Sequence, residues 1–147
     1  MKKYITVFTV LLAALTGCEE TLDYEVKNSI TLENFFQDSD DAVNSVNAIY
    51  DALGAVDLYK SSLWLIQDIG SDDCDALSTW NDPNAMQIDR YELQTDNNYV
   101  ANIWKGSYQL IARANLSLDR IPAIDMDADL TSRLLGEAKF LRALSYF

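Results

Sequence analysis

Histidine is absent from this 147-residue sequence, and cysteine and proline occur only twice each. Without histidine the chain lacks both the most frequent general base and the most frequent metal ligand of enzymes. Cys74 stands among Asp72, Asp73 and Asp75, and this negative charge disfavours the thiolate that a nucleophile needs. The other cysteine, Cys18, belongs to an N-terminal signal, so no disulfide framework is expected. We therefore expect no enzyme, no cofactor and no metal site.

Basic residues are scarce as well. Eleven lysines and arginines stand against 23 aspartates and glutamates, which gives a net charge of −12. A chain this acidic repels phosphate backbones, which argues against nucleic acid as a partner. It would also not adhere to an anionic lipid surface by charge alone. Any contact with a membrane must therefore be made in another way.

The N-terminus provides such a contact. Lys2 and Lys3 precede an apolar stretch of 12 residues, 4–15, and the small residues Thr16 and Gly17 then lead to Cys18. This order is typical of a secretory signal peptide. Leu-Thr-Gly-Cys also fits the bacterial lipobox, so we predict a lipoprotein signal peptide over residues 1–17 and acylation, for instance by palmitate, of the Cys18 thiol.

Two other interpretations of this segment are weaker. A transmembrane anchor would need about 20 apolar residues, more than this stretch contains. An unlipidated signal with an accidental cysteine would leave the lipobox unexplained. Glu19 and Glu20 follow Cys18 directly and resemble the surface-export signal of lipoproteins in Bacteroidetes-type bacteria. We expect a protein anchored by lipid in the cell outer membrane and exposed at the surface.

The rest of the chain predicts helices. Residues 18–37 predict an extended, lipidated tether, and residues 38–147 predict one helical domain. A helix is predicted over Asp40–Leu53, with Ser39 as its N-cap and Gly54 as its stop. The apolar run Ser62–Ile69 fits either a short helix or a buried strand.

Between Gly70 and Asn98 the helical pattern breaks down. The segment is rich in Asp, Asn, Ser and Thr, and Asn81-Asp82-Pro83-Asn84 is a strong turn signal. Loops of this length are usually functional or disordered. The acidic residues around Cys74 do not match a calcium-binding loop, and a solvated acidic loop is the preferred interpretation.

Two further helices are predicted after this loop, over Asn98–Arg120 and from about Leu130 to the end of the sequence. Pro122 separates them, so they form a helical hairpin of tetratricopeptide size. Trp104, Tyr108 and Leu141 are assigned to its core. The last helix has no stop signal, and we interpret the chain as the N-terminal part of a longer all-α protein.

Three motifs in this order resemble one family. Gly136–Phe147 resembles the "EARFLRAxxYF" helix of SusD/RagB-type nutrient-binding outer-membrane lipoproteins, with Lys139 where arginine is more common. Trp104–Asn115 resembles the preceding "WxxxYxxIxxAN" helix, and Asp41–Tyr50 resembles the first helix of the family, "DAxxAxxxxY". The resemblance covers the N-terminal part of the family.

The resemblance implies an all-α fold of tetratricopeptide-like helical repeats with long irregular loops. It implies binding of glycans or other nutrient oligomers without catalysis. It also implies a partner, a TonB-dependent outer-membrane barrel of the SusC type, to which the ligand is delivered.

Sugar sites combine an aromatic ring with amide or carboxylate groups, and the loop offers such a set. The candidate ligand-binding residues are Trp80, Asn81, Asp82, Arg90 and Tyr91. The alternative for Trp80 is that it packs the loop onto the helices. The alternative function is a helical-repeat scaffold lipoprotein for envelope assembly without a small-molecule ligand, but a pure scaffold does not need an aromatic-bearing loop.

Overall fold

The computed structural model describes residues 31–76 and 81–147, apart from the side chain of Glu33. Within these ranges the regular structure is helical and no strand occurs, which confirms the all-α prediction. The helices are α1 (Leu32–Phe35), α2 (Ser39–Leu53), α3 (Ser62–Ile69), α4 (Pro83–Asp89), α5 (Asn98–Arg120) and α6 (Ala128–Tyr146), with a 3-10 turn (Ile121–Ala123) after α5. Residues 33–147 form one compact unit. The predicted signal peptide, Cys18 and Trp80 lie outside the described residues.

Helix α2 begins one residue before the predicted start. Its N-cap is Asp38 rather than Ser39, because the Asp38 carboxylate accepts a hydrogen bond from the Asp41 N–H at 3.0 Å. Acidic residues in the first turn suit the positive end of the helix dipole. The helix ends at Gly54 as predicted, where the Gly54 N–H donates to the Tyr50 carbonyl. Upstream, α1 gives the last part of the predicted tether a helical turn instead of an extended conformation.

The ambiguous run 62–69 is a helix, α3. Its buried side chains Leu65 and Ile69 pack with Ala85 and Ile88 of α4. Helix α4 itself lies inside the segment predicted to be a loop. The turn signal there is a helix start, because Asp82 caps the helix and Pro83 occupies its first position, where no N–H is needed.

The predicted hairpin is present. Helix α5 has the predicted bounds, and α6 begins at Ala128, two residues early, because the Asp127 carboxylate accepts from the Leu130 N–H at 2.9 Å. The main core lies where α2, α5 and α6 meet and contains Ile49, Leu110 and Leu141, each at most 1% exposed. The prediction that Leu141 is a core residue is therefore confirmed.

Polar side chains also tie these helices together. The Arg142 guanidinium on α6 donates to the Asn115 side-chain oxygen on α5 at 2.8 Å. Arg113 donates to the backbone carbonyl of Ala48 on α2 at 2.7 Å. Arg142 thus has the interhelical role expected of it. Glu137 does not, since its ion pair is with Arg133 of the same helix.

The assignment of Trp104 and Tyr108 to the core is wrong. Trp104 is 67% exposed and Tyr108 is 48% exposed, and their rings contact each other with centroids 4.8 Å apart. The buried face of α5 instead carries Leu110, Ala114 and the small Gly106. At 3.6 residues per turn, Trp104 lies about 120° around the helix from Leu110. A stripe drawn through the large apolar residues therefore missed the face that is packed.

Gly106 explains why the packed face was missed. The helix approaches the turn after α2 so closely that a Cβ on Gly106 would lie 2.8 Å from the Cγ of Leu58. A buried glycine carries no hydrophobic signal in the sequence, although here it marks the tightest contact of the helix.

Candidate functional site

The predicted ligand-binding residues lie at the two ends of α4. Asn81 and Asp82 precede its first residue, and Arg90 and Tyr91 follow its last. The helix rises 1.5 Å per residue, so the two pairs are separated by about 12 Å along its axis. The structure thus places the four described candidates on one short element, while Trp80 lies outside the described residues.

Asp82 is engaged in holding this element. One carboxylate oxygen accepts from the backbone N–H groups of Asn84, at 2.9 Å, and Ala85, at 3.3 Å. The other accepts from the hydroxyl of Tyr99 on α5 at 2.5 Å. The Tyr99 hydrogen bond is the main reason why the pKa of Asp82 lies below its usual 3.8. Burial, together with the Asp82 charge, raises the pKa of Tyr99 to about 12. Asp82 is therefore ionised, and Tyr99 protonated, at neutral pH.

Asn97 forms a second tie between α4 and α5. Its side chain is 1% exposed. The Asn97 amide donates to the Asn84 carbonyl at 3.0 Å and to the Gln87 side-chain oxygen at 2.9 Å. Its side-chain oxygen accepts from the Tyr99 N–H and so caps α5. Sequence reasoning missed Asn97, although an asparagine directly before a predicted helix is an N-cap signal.

Tyr91 and Asn81 have a backbone conformation that only a few per cent of non-glycine residues adopt. Their φ angles are 56° and 50°, in the left-handed region. Tyr91 is 78% exposed, and its hydroxyl donates to the carbonyl of Gly70 at the end of α3. The ring of Tyr91 is therefore presented to solvent from a fixed position. Local strain of this kind is concentrated at functional sites.

The surroundings of α4 offer little positive charge. Asp72, Asp73 and Asp75 are all exposed, as is the free thiol of Cys74, while Arg90 is the cation at the end of α4. In residues 31–76 and 81–147, no three acidic or thiol groups lie close enough together to hold a metal ion. The chemistry that this element offers is hydrogen bonding and contact with an aromatic ring.

A second concave region lies on the other side of α3 and was not predicted. We call it the apolar groove: a cavity of about 690 Å³ between the 53–59 segment, α3, α5 and the end of α6. Trp104, Tyr108, Tyr59 and Phe147 are among its lining residues. No charged side chain lines the described part of the groove. The two aromatic residues wrongly assigned to the core therefore form a wall of this groove.

The described helices do not suggest a membrane span. Within residues 31–76 and 81–147, no helix combines the length and the apolar character needed to cross a bilayer.

Comparison with known proteins identifies relatives. The profile of a SusD-like family, described as starch-binding associating with outer membrane, matches residues 22–147. This match includes every helix of the structure and all five candidate ligand-binding residues.

Three curated proteins of Formosa agariphila (strain DSM 15362) are similar over nearly the whole chain. SusD-like protein P38 is 32% identical over 152 residues and SusD-like protein P2 is 25% identical over 147 residues, and each alignment covers 100% of this chain. SusD-like protein P25 is 27% identical over 153 residues, covering 97% of this chain. The chain spans only 28–29% of the length of these relatives. No solved structure matched it.

Proposed function

The chain belongs to the SusD-like family, and from this membership we propose that it is the N-terminal part of a cell-surface lipoprotein. This lipoprotein binds glycans or other nutrient oligomers and delivers them to a TonB-dependent outer-membrane transporter of the SusC type. The observation that carries the proposal is the family match over residues 22–147, since the family is described as starch-binding and associated with the outer membrane. The protein acts by binding and not by catalysis, in keeping with its lack of histidine.

The proposed ligand-binding residues are Trp80, Asn81, Asp82, Arg90 and Tyr91. Among the described ones, Tyr91 has the geometry that best supports the role. Its ring is 78% exposed, and its hydroxyl is held by the Gly70 carbonyl, so little side-chain freedom is lost when a sugar ring contacts it. Exposed Asn81 and Arg90 supply hydrogen-bond donors at the two ends of the same helix.

Asp82 contributes to this site by positioning. Both of its oxygens already accept hydrogen bonds, from the start of α4 and from Tyr99. Together with buried Asn97 it fixes α4 on α5, and the residues at the ends of α4 are fixed with it. A preordered site loses less entropy on binding than a mobile loop does.

The test is calorimetry on the full-length protein with neutral oligosaccharides, beginning with maltoheptaose because the family description names starch. Tyr91→Ala and Trp80→Ala should each weaken binding by roughly tenfold or more, as loss of an aromatic hot-spot residue commonly does. Tyr91→Phe keeps the ring and removes only the hydroxyl, so it should retain most of the affinity. Tyr50→Ala, at an exposed tyrosine of α2, is the control and should have no effect.

Two results would contradict the proposal at different levels. Unchanged affinity in both Trp80→Ala and Tyr91→Ala would remove the ends of α4 from the site. Failure of the full-length protein to bind any oligosaccharide of the panel, with no barrel protein co-purifying from outer membranes, would contradict the function itself and favour the scaffold alternative.

A further inference from the structure

The apolar groove leaves large hydrophobic side chains in water. Trp104, Tyr108 and Tyr146 line it and are 67%, 48% and 64% exposed. In folded proteins, contiguous apolar surface of this kind marks a place where another surface packs. The groove is open along side chains that would contribute strongly to stability if they were covered.

The lining indicates what kind of surface covers it. The chain carries a net charge of −12, yet no charged residue lines the described part of the groove. The polar contribution comes from Gln67, Ser107 and Ser145. Depletion of charge is typical of the core of a permanent interface, whereas transient interfaces are about as polar as the rest of the surface.

Two facts favour a segment of the same polypeptide as the occupant. The relatives are more than three times as long as this chain, which covers at most 29% of them. The residues 144–147 form part of the groove wall, so a polypeptide that continues beyond Phe147 departs from its rim. A covalently attached segment is present at a high effective concentration and needs no separate association step.

We infer that the apolar groove is an intramolecular interface, filled in the full-length protein by apolar side chains of the polypeptide that follows Phe147. Trp104 and Tyr108 become core residues of the complete protein through this contact. The inference concerns assembly of the fold and holds whatever ligand the α4 site binds.

A pair of tryptophan variants in the full-length protein tests the inference. In the described residues Trp64 is the less exposed of the two, at 46%, and its indole N–H donates to the Lys60 carbonyl at 2.9 Å. Trp104 is 67% exposed. These exposures alone predict that Trp64→Ala lowers the melting temperature more than Trp104→Ala. A filled groove predicts the reverse order, with the larger drop for Trp104→Ala.

Thiol labelling gives a second readout that does not depend on Trp104 variants folding. The two substitutions are Ser107→Cys in the groove and Asn47→Cys at an exposed position of α2, each made in a Cys74→Ser form that begins after Cys18. In the monomeric full-length protein, the thiol of the Ser107→Cys variant should lose most of its reactivity toward a maleimide. The thiol of the Asn47→Cys variant should react freely.

The inference is overturned if the two variants react at the same rate and Trp104→Ala is no more damaging than Trp64→Ala. It is also overturned if protection of position 107 rises with protein concentration, which would indicate a second copy. Protection that appears only when the transporter barrel is added would indicate a partner protein instead, and likewise overturns it.

Discussion

Gly106 and Gly136 offer a test of the packing in which one substitution has opposite effects at two sites. Both are interior residues of long helices, α5 and α6, so alanine gains roughly 1 kcal/mol of helix propensity at each. At Gly136 nothing lies within 4 Å of the added Cβ, and the gain is kept. At Gly106 the Cβ would lie 2.8 Å from Leu58 Cγ and 3.2 Å from Asp57 Cβ, near the base of each side chain, so no flexible end can move away.

The magnitude follows from the difference between the two variants, in which the propensity gain cancels. Overpacking of this kind costs about 1–3 kcal/mol. Gly106→Ala should therefore be less stable than Gly136→Ala by roughly 2 kcal/mol. With a urea m-value of about 2 kcal/mol/M, the two denaturation midpoints should differ by about 1 M. Equal midpoints would show that α5 does not approach the Leu58 turn as closely as the structure has it. A more stable Gly106→Ala than Gly136→Ala would refute the reasoning outright.

Two other perturbations test the α4 tie and the anchor. Tyr99→Phe removes the hydrogen bond to ionised Asp82 and should lower the free energy of unfolding by roughly 1.5 kcal/mol at pH 7. Because the fold lowers the pKa of Asp82 below 3.8, this contribution is present above that pH and should fade as the pH falls further, so a wild-type-to-variant difference in urea denaturation that is the same at pH 7 and pH 2 would contradict it. Cys18→Ala should abolish incorporation of a radioactive fatty acid in cells, and label retained at the wild-type level would refute lipidation at Cys18.

The helices could be predicted where their signals are local. An acidic cap, a 3.6-residue apolar period and a stop residue define α2, and a cap at Asn97 and the proline after α5 set the bounds of that helix. These signals depend on neighbouring residues in the sequence, so they are legible without the fold. The starts of α2 and α6 were misplaced by one or two residues because adjacent Asp and Ser side chains compete for the cap.

Side-chain burial was harder to predict than the helices. A hydrophobic period shows which face of a helix avoids water in the complete protein, but not which neighbour covers it. On α5 the face toward α2 and α6 carries Leu110 and Gly106, while Trp104 lies on another face. Both faces are apolar, so the wide stripe could not be divided from the sequence alone. The inference of a filled groove gives a physical reason for two apolar faces on one helix.

The candidate site shows the same limit in its polar residues. Asn81 and Asp82 are neighbours in the sequence and were grouped as one hydrogen-bonding unit. In the fold their roles separate, because Asp82 caps α4 and accepts from Tyr99, 17 residues away, while Asn81 is exposed in a left-handed conformation. A turn sequence rich in Asn and Asp cannot show which of its side chains the fold consumes. Since Asp82 fixes the helix that carries the others, its substitution should alter binding through the position of Asn81, Arg90 and Tyr91, and not through a lost contact with the sugar.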